Sequence, residues 1–275
     1  MNFNSLTLLL FCLWITVPSV QSVPISQFYP FGNHSGDSYL PKNDDGNSGP
    51  LDISVSFPFF DRNHDKLYVN TNGVISFLAS VSQYTPDPFP LGDNRRLLTP
   101  FWADVDTRNG DGAFINFNRF TPTWLYVATW DKVAFYGAMG NDKQKRNTFQ
   151  AVLVTNGRHS FVIYNYARIE WLTGSVSDGV PAQCGFNAGD NKTYFTIKGS
   201  RTKEVMNLIR TSNVNKPGVW MFQVDNAEIQ SQGCNTKGRL TISPRQTLML
   251  GGEHIYIAGP CFDELKQDED RLQFW

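Results

Sequence analysis

Between residues 51 and 59 apolar side chains take every second position: Leu51, Ile53, Val55, Phe57 and Phe59 alternate with Asp52, Ser54, Ser56 and Pro58. A period of two sends neighbouring side chains to opposite faces, so this stretch predicts a strand with one face on a core. Leu67-Tyr68-Val69 and Val74-Ile75-Ser76-Phe77 flank Asn72-Gly73, a strong hairpin signal. A second hairpin is predicted where residues 149–154 and 160–166 flank Thr155-Asn156-Gly157-Arg158. There Phe149, Ala151 and Leu153 alternate with Gln150, Val152 and Val154. Both faces are largely apolar, which suits an inner strand. Further strands are expected at 113–117, 124–130 and 218–224. Pro86, Pro88 and Pro90 exclude a helix from the connection at 82–97. One helix is expected at about 200–210, with Ser200 as its cap, Glu204 in the first turn, and Val205, Leu208 and Ile209 on one face. Many short strands separated by turns, with one short helix, predict a mainly β, sandwich-like fold.

The centre of the pattern is Leu98-Thr99-Pro100-Phe101-Trp102-Ala103-Asp104-Val105-Asp106-Thr107-Arg108, followed by the turn Asn109-Gly110-Asp111-Gly112. In extended chain, Trp102, Asp104 and Asp106 share one face and Phe101, Ala103 and Val105 the other. Two carboxylates on one face repel unless something answers them. Arg108 with backbone donors from the turn is the plain structural answer. A hard cation such as calcium, held by Asp104 and Asp106, is the sharper one. The stretch is not an EF-hand loop, because Arg108 stands where a third ligand would be.

Pro100-Phe101-Trp102-Ala103-Asp104-Val105-Asp106-Thr107-Arg108 resembles the opening motif of the nidogen-type (NIDO) extracellular domain, in its alpha-tectorin-like branch. Cys184-Gly185-Phe186-Asn187-Ala188-Gly189-Asp190 also fits, as do Gly199-Ser200-Arg201 and the run from Gly218 to Asp225. The resemblance covers about residues 99–226. It implies a secreted extracellular-matrix module that mediates cell–matrix adhesion through protein–protein contacts with matrix or cell-surface proteins. A carbohydrate-binding extracellular module is the alternative. Residues 23–98 are then a β lead-in packed on the NIDO domain, and 227–239 a linker. Residues 240–275, with Leu240-Thr241-Ile242-Ser243-Pro244, resemble the start of an immunoglobulin-like (IPT/TIG) domain. Such a sandwich needs about 100 residues, so the chain is expected to be a truncated piece of a longer modular protein.

The ends and the composition sharpen this picture. Residues 1–22 hold no charged side chain, and an apolar run from Leu6 to Val17 ends at Pro18 with Val20 and Ser22 behind it. This predicts a signal peptide cut after Ser22. No later segment is apolar enough for a transmembrane helix. Cleavage removes Cys12 and leaves Cys184, Cys234 and Cys261. A Cys184–Cys234 disulfide is expected, with Cys261 awaiting another partner, and Cys234–Cys261 is the competitor. Asn33-His34-Ser35 and Asn191-Lys192-Thr193 are glycosylation sequons. The net charge of −1 and pI of about 6.4 leave no basic surplus for nucleic acid. Charged residues are only 18% while aromatics reach 14%, which leans to β.

Little points to an enzyme or a bound cofactor. His34, His64, His159 and His254 are scattered, without an H-E-x-x-H pattern. Gly46-Asn47-Ser48-Gly49-Pro50 has the composition of a solvated loop, without the partners a serine nucleophile needs. Trp102, Trp124, Trp130, Trp171 and Trp220 fit core positions of strands. The best exposed aromatic platform is Tyr84-Thr85-Pro86-Asp87-Pro88-Phe89-Pro90, unless that loop folds back over the core.

Overall fold

The structure, a computed structural model, describes residues 22–109, 114–120 and 125–226, with two short strands beyond them. In chain order the strands begin with β1 (Ser38–Tyr39), β2 (Leu51–Phe59), β3 (Arg62–Asn70), β4 (Val74–Ser76) and β5 (Leu97–Trp102). They continue with β6 (Val105–Asp106), β7 (Phe114–Phe120), β8 (Leu125–Phe135), β9 (Asn147–Thr155) and β10 (Ser160–Arg168). β11 (Gln183–Asn187), β12 (Tyr194–Thr196) and β13 (Val219–Gln223) complete the main body. One antiparallel sheet runs β1-β7-β8-β9-β10-β13, with β6 beside β8, and the other runs β12-β11-β5-β4-β3-β2. Strands from both sides of residue 98 therefore share the second sheet.

The mainly β, two-sheet fold is the one the alternation predicts. Ile53, Phe57 and Phe59 of β2 enter the main core, and Leu51 and Val55 pack against it. β9 is an inner strand, between β8 and β10, with both faces covered. The two sheets meet through aromatic rings: Phe101 of β5 lies 5.4 Å from Phe149 of β9, and Phe186 of β11 lies 5.1 Å from Phe222 of β13. Offset and tilted ring pairs of this kind add to what area burial alone supplies. Cross-sheet hydrogen bonds fix the register. Tyr164 Oη donates to the Gly185 carbonyl at 2.9 Å, and Tyr166 Oη to the Pro100 carbonyl at 2.6 Å.

The helix differs from its sequence expectation. It is a 3-10 helix, Lys203–Ile209, capped by Thr202, whose hydroxyl accepts from the Glu204 amide. Ser200 is occupied elsewhere: its Oγ accepts from the Cys184 amide at 2.6 Å. Val205 and Leu208 are buried as the periodicity requires. Short 3-10 turns also occur at Ile25–Gln27, Asn33–Ser35 and Gly140–Gln144, in stretches that read as plain loops. Beyond the main body, β14 (Thr241–Ser243) pairs with β15 (Tyr256–Ala258), antiparallel. The remainder of the expected immunoglobulin-like segment lies outside the described residues, as does the expected signal peptide up to residue 21. No helix among the described residues is long and apolar enough to cross a membrane.

The turn between β3 and β4 has no room for a side chain. Gly73 has φ +73°, and a Cβ there would collide with the carbonyl oxygen of Phe101 on β5. Gly157, in the β9–β10 turn, has φ +85° but only the far end of Val55 near it. Gly157→Ala should therefore cost only backbone strain, on the order of 1–2 kcal/mol. Gly73→Ala should cost clearly more, since β5 must move. Urea unfolding midpoints measure both, and equal losses would mean that the β5 contact does not constrain the turn.

Candidate functional site

The central motif is built around Asn72, which is fully buried in the β3–β4 turn. Its Oδ1 accepts from the Val105 amide at 2.9 Å, and its backbone carbonyl accepts from the Ala103 amide at 3.2 Å. Its Nδ2 donates to Asp45 Oδ1 at 2.7 Å and to the Ser82 carbonyl at 3.1 Å. These bonds carry the chain from β5 to β6 through Ala103 and Asp104. The predicted alternation holds here: Phe101, Ala103 and Val105 join the main core, while Trp102 faces the other way, toward Val74, Val81, Leu91 and Leu97.

The two aspartates of the motif have different fates. Asp106 is answered by Arg108, whose Nε and Nη2 donate to its two oxygens at 3.0 Å each. The Arg108 amide and the Asn109 side chain add further donors to it. Arg108 also reaches Asp44 at 2.7 Å. Asp104 is only 2% exposed, and among the described residues its side chain accepts a hydrogen bond from Ser177 Oγ alone, at 3.5 Å. Its neighbours are carboxylates. Asp44, Asp45 and Asp104 each present an oxygen within 4.8 Å of the others, the set among the described residues that could hold a hard cation.

A local lock explains the cluster. The Asn43 amide donates to Thr107 Oγ1, and the Thr107 amide and hydroxyl return bonds to the Asn43 carbonyl. This pins the Asn43-Asp44-Asp45 loop beside the central motif. Burial, then Asp44, Asp45 and Asp106, push the Asp104 carboxyl up to about 7. Burial and Asp106 raise Asp44 to about 6 against the pull of Arg108. Sequence reasoning missed Asp44 and Asp45 as partners of Asp104. Their signal was the acid- and amide-rich run Asn43-Asp44-Asp45-Gly46-Asn47, and nothing local says where that run folds back.

Other sequence candidates are dispersed. Cys184 is a fully buried thiol on β11, unpaired among the described residues. It is hydrogen-bonded to Tyr166, and burial pushes it up, away from the reactive thiolate. Cys234, which both expected pairings need, and Cys261 lie outside the described residues. Asn191 is exposed in a turn at φ +60°, and Asn33 opens a 3-10 turn. His64 is a core residue stacked on Phe77 at 4.6 Å, its pKa lowered to about 4 by burial and Arg96. His159 sits 3.2 Å from Asp225. Trp102, Trp130, Trp171 and Trp220 are all buried, whereas Trp124 lies outside the described residues. The proline-rich loop folds back over the core. Phe89 packs against the Trp102 cluster, Trp102 Nε1 donates to the Gln83 carbonyl at 2.8 Å, and Arg95 holds Asp87 at 2.7 Å.

Comparison of the sequence with known proteins shows the family. Residues 65–117 and 112–226 match the nidogen-like domain. The chain is 38% identical to alpha-tectorin of Mus musculus over 269 residues, covering 87% of this chain and 12% of that protein. It is 32% identical to nidogen-1 of Mus musculus over 236 residues, covering 72% of this chain and 19% of that protein. Nidogen-2 of Mus musculus is 27% identical over 266 residues, covering 77% of this chain and 19% of its own length. The chain thus spans less than a quarter of each of these relatives. No solved structure matches it.

The acid cluster sets a pH dependence whose sign follows from the raised values. Asp104 and Asp44 bind protons more tightly folded than unfolded. Their contribution to stability is therefore greatest below the unfolded value, near pH 4, and is lost as pH rises through about 6–7. In chelator, the melting temperature should fall from about pH 5 to about pH 8, and Asp104→Asn should flatten the fall and melt higher at the upper pH. Calcium should stabilise the wild type at the upper pH by RT ln(1 + [L]/Kd), and the variant should lose that gain. A flat profile in chelator, matched by the variant, would refute the electrostatic account.

Proposed function

The chain belongs to the nidogen-like domain family, and from that premise we propose that it is an adhesive module that joins matrix or cell-surface proteins through direct protein–protein contacts. Alpha-tectorin and the nidogens are secreted, structural extracellular-matrix proteins, and this chain is a secreted matrix module with them. The observation that carries the adhesive reading is that the similarity to alpha-tectorin runs through nearly the whole of both sheets, not through one motif. In this reading residues 227–239 are a linker, and 240–275 open a further immunoglobulin-like module. Asp104, with Asp44 and Asp45, serves the fold, and calcium is its candidate ligand.

The test is attachment. The secreted chain, laid on decellularised matrix, should bind, and prior digestion of the matrix with trypsin should remove most of the binding. Trimming of N-glycans from the matrix should leave it intact. Binding that survives trypsin and disappears with the glycans would replace the protein-contact reading by the carbohydrate one.

Processing is read by mass spectrometry of secreted material without reduction. The amino terminus is expected at Val23, whose side chain is buried against Phe28, Val127 and Val219. Glycans are expected on Asn33 and Asn191. A Cys184–Cys234 peptide is expected, with Cys261 left to another partner. A Cys234–Cys261 peptide, with Cys184 labelled by thiol reagents only after unfolding, would overturn that assignment.

A further inference from the structure

A second charged feature lies behind the acid cluster, and the adhesive reading makes no use of it. An open cleft of about 580 Å³ is lined by Arg108, Lys132, Lys143, Arg146 and Arg168. Its other lining residues are asparagine, glutamine and alanine, so no carboxylate lines it among the described residues. The size falls within the range of about 300–1,000 Å³ usual for ligand sites. The lining is not that of an apolar pocket.

The five cations come from four separate places in the chain, Lys143 and Arg146 sharing the β8–β9 connection. Arg108 follows β6. Lys132 sits at an irregularity in β8, where the pairing with β9 shifts between Trp130 and Val133, and its φ is +50°. A bulge of this kind re-aims one side chain out of the strand's alternation. Lys143 lies in the Gly140–Gln144 turn, Arg146 just before β9, and Arg168 at the end of β10.

The charges are unevenly answered. Arg108 is held by Asp106 and Asp44, and Arg168 Nε is 3.0 Å from Glu170. Lys132, Lys143 and Arg146 have no ion pair among the described residues. The Arg146 guanidinium is steadied by the backbone carbonyls of Lys143 and Lys145 at 2.6 and 2.8 Å, through Nη1 alone. Three cations thus border one open cleft without an ion pair among the described residues, in a chain whose net charge is −1; Asp131 acts on Lys132 only at longer range, and Glu170 is engaged by the Arg146 amide and by Arg168. Holding like charges together is unfavourable unless an anionic ligand shares the site.

We propose that this cleft binds a sulfated glycosaminoglycan segment. Guanidinium and ammonium groups suit the oxygens of sulfate esters, and Arg does so with two parallel donors. Asn109 and Gln144 at the cleft offer amides for sugar hydroxyls. An apolar ligand finds no floor there. Among polyanions, the secreted matrix setting selects sulfated glycan over nucleic acid. The inference stands apart from the protein-contact reading: either can fail without the other.

The test uses the full secreted chain over immobilised heparin, with selectively desulfated heparin and hyaluronan as companions. Binding should fall linearly, log against log, as salt rises from about 50 to about 200 mM. The companions without sulfate should bind at least about tenfold more weakly, a difference of about 1.4 kcal/mol. Lys132→Ser/Lys143→Ser/Arg146→Ser should lose at least about tenfold in affinity. Each removed cation should reduce the salt slope by about 1. Lys132→Ser/Lys143→Ser keeps Arg146 and its loop bonds, and should lose an intermediate amount with an unchanged melting temperature. Lys198→Ser/Lys203→Ser/Arg210→Ser removes the same net charge from exposed positions that do not line the cleft, and should bind as the wild type. The proposal is overturned by no heparin binding at low salt, by cleft variants that bind unchanged, or by equal losses in the Lys198/Lys203/Arg210 variant.

Discussion

One buried amide side chain holds together parts of the chain that lie far apart in sequence. Asn72 connects its own turn to the Asp45 loop, the Ser82 segment and the β5–β6 junction at Val105. The same turn receives the Trp130 indole, which donates to the Thr71 carbonyl at 3.0 Å. Both sheets therefore touch residues 71–73. Each bond is worth only about 1 kcal/mol net when made, but leaving its buried partners unsatisfied costs more. That asymmetry, with a glycine beside the amide that admits no side chain, makes the turn a fixed point about which the sheets are registered.

The interior repeats this use of polar groups. Gln150 is fully buried on β9, donating to Thr129 Oγ1 and the Tyr29 carbonyl and accepting from Asn165. Asn147 accepts from the amides of Glu170 and Trp171 and donates to the Trp171 carbonyl. Tyr164 and Tyr166 are buried, so their ionised forms are strongly disfavoured and their hydroxyls remain donors. Apolar burial drives the sheets together without direction, and these directed bonds select one alignment of the two sheets.

What was legible in the sequence divides along the same physical line. Period-two alternation in β2 and the turn residues Asn72-Gly73 and Asn156-Gly157 are local, and they located strands, turns and the inner position of β9. Local signals also split the faces of the central motif, with Phe101 on one side and Trp102 on the other. The cap of the helix was misplaced because Ser200 and Thr202 are both competent caps. A long-range bond to the Cys184 amide engages Ser200, and Thr202 is left to do the capping. The partners of Asp104 were invisible for a similar reason. Asp44 and Asp45 arrive through the Asn43–Thr107 lock, which joins residues sixty-four apart in sequence. The basic cleft had little local signature: Lys143 and Arg146 share the charged loop at 140–147, but nothing local brings Arg108, Lys132 and Arg168 to it.

Arg108 stands between the two charged assemblies, and its geometry keeps them separate. Its guanidinium is fastened on one side by Asp106 and Asp44, so its charge is more than matched there, although the side chain still borders the cleft. Asp104 lies beyond that pair, buried, with no cation paired to it among the described residues. The field in the cleft is consequently set by Lys132, Lys143 and Arg146, and the field in the acid hollow by Asp104, Asp44 and Asp45. A single arginine bound the other way, toward the cleft, would leave Asp106 buried without its counter-charge, a cost of several kcal/mol. The Asp106–Arg108 pair spans only two residues and is also tied by the Arg108 amide, so the backbone itself dictates which way the guanidinium turns. The nine-residue motif that identifies the family thus does two jobs with one short turn: it closes the core through Phe101 and Val105, and it keeps opposite charges on opposite sides of Arg108.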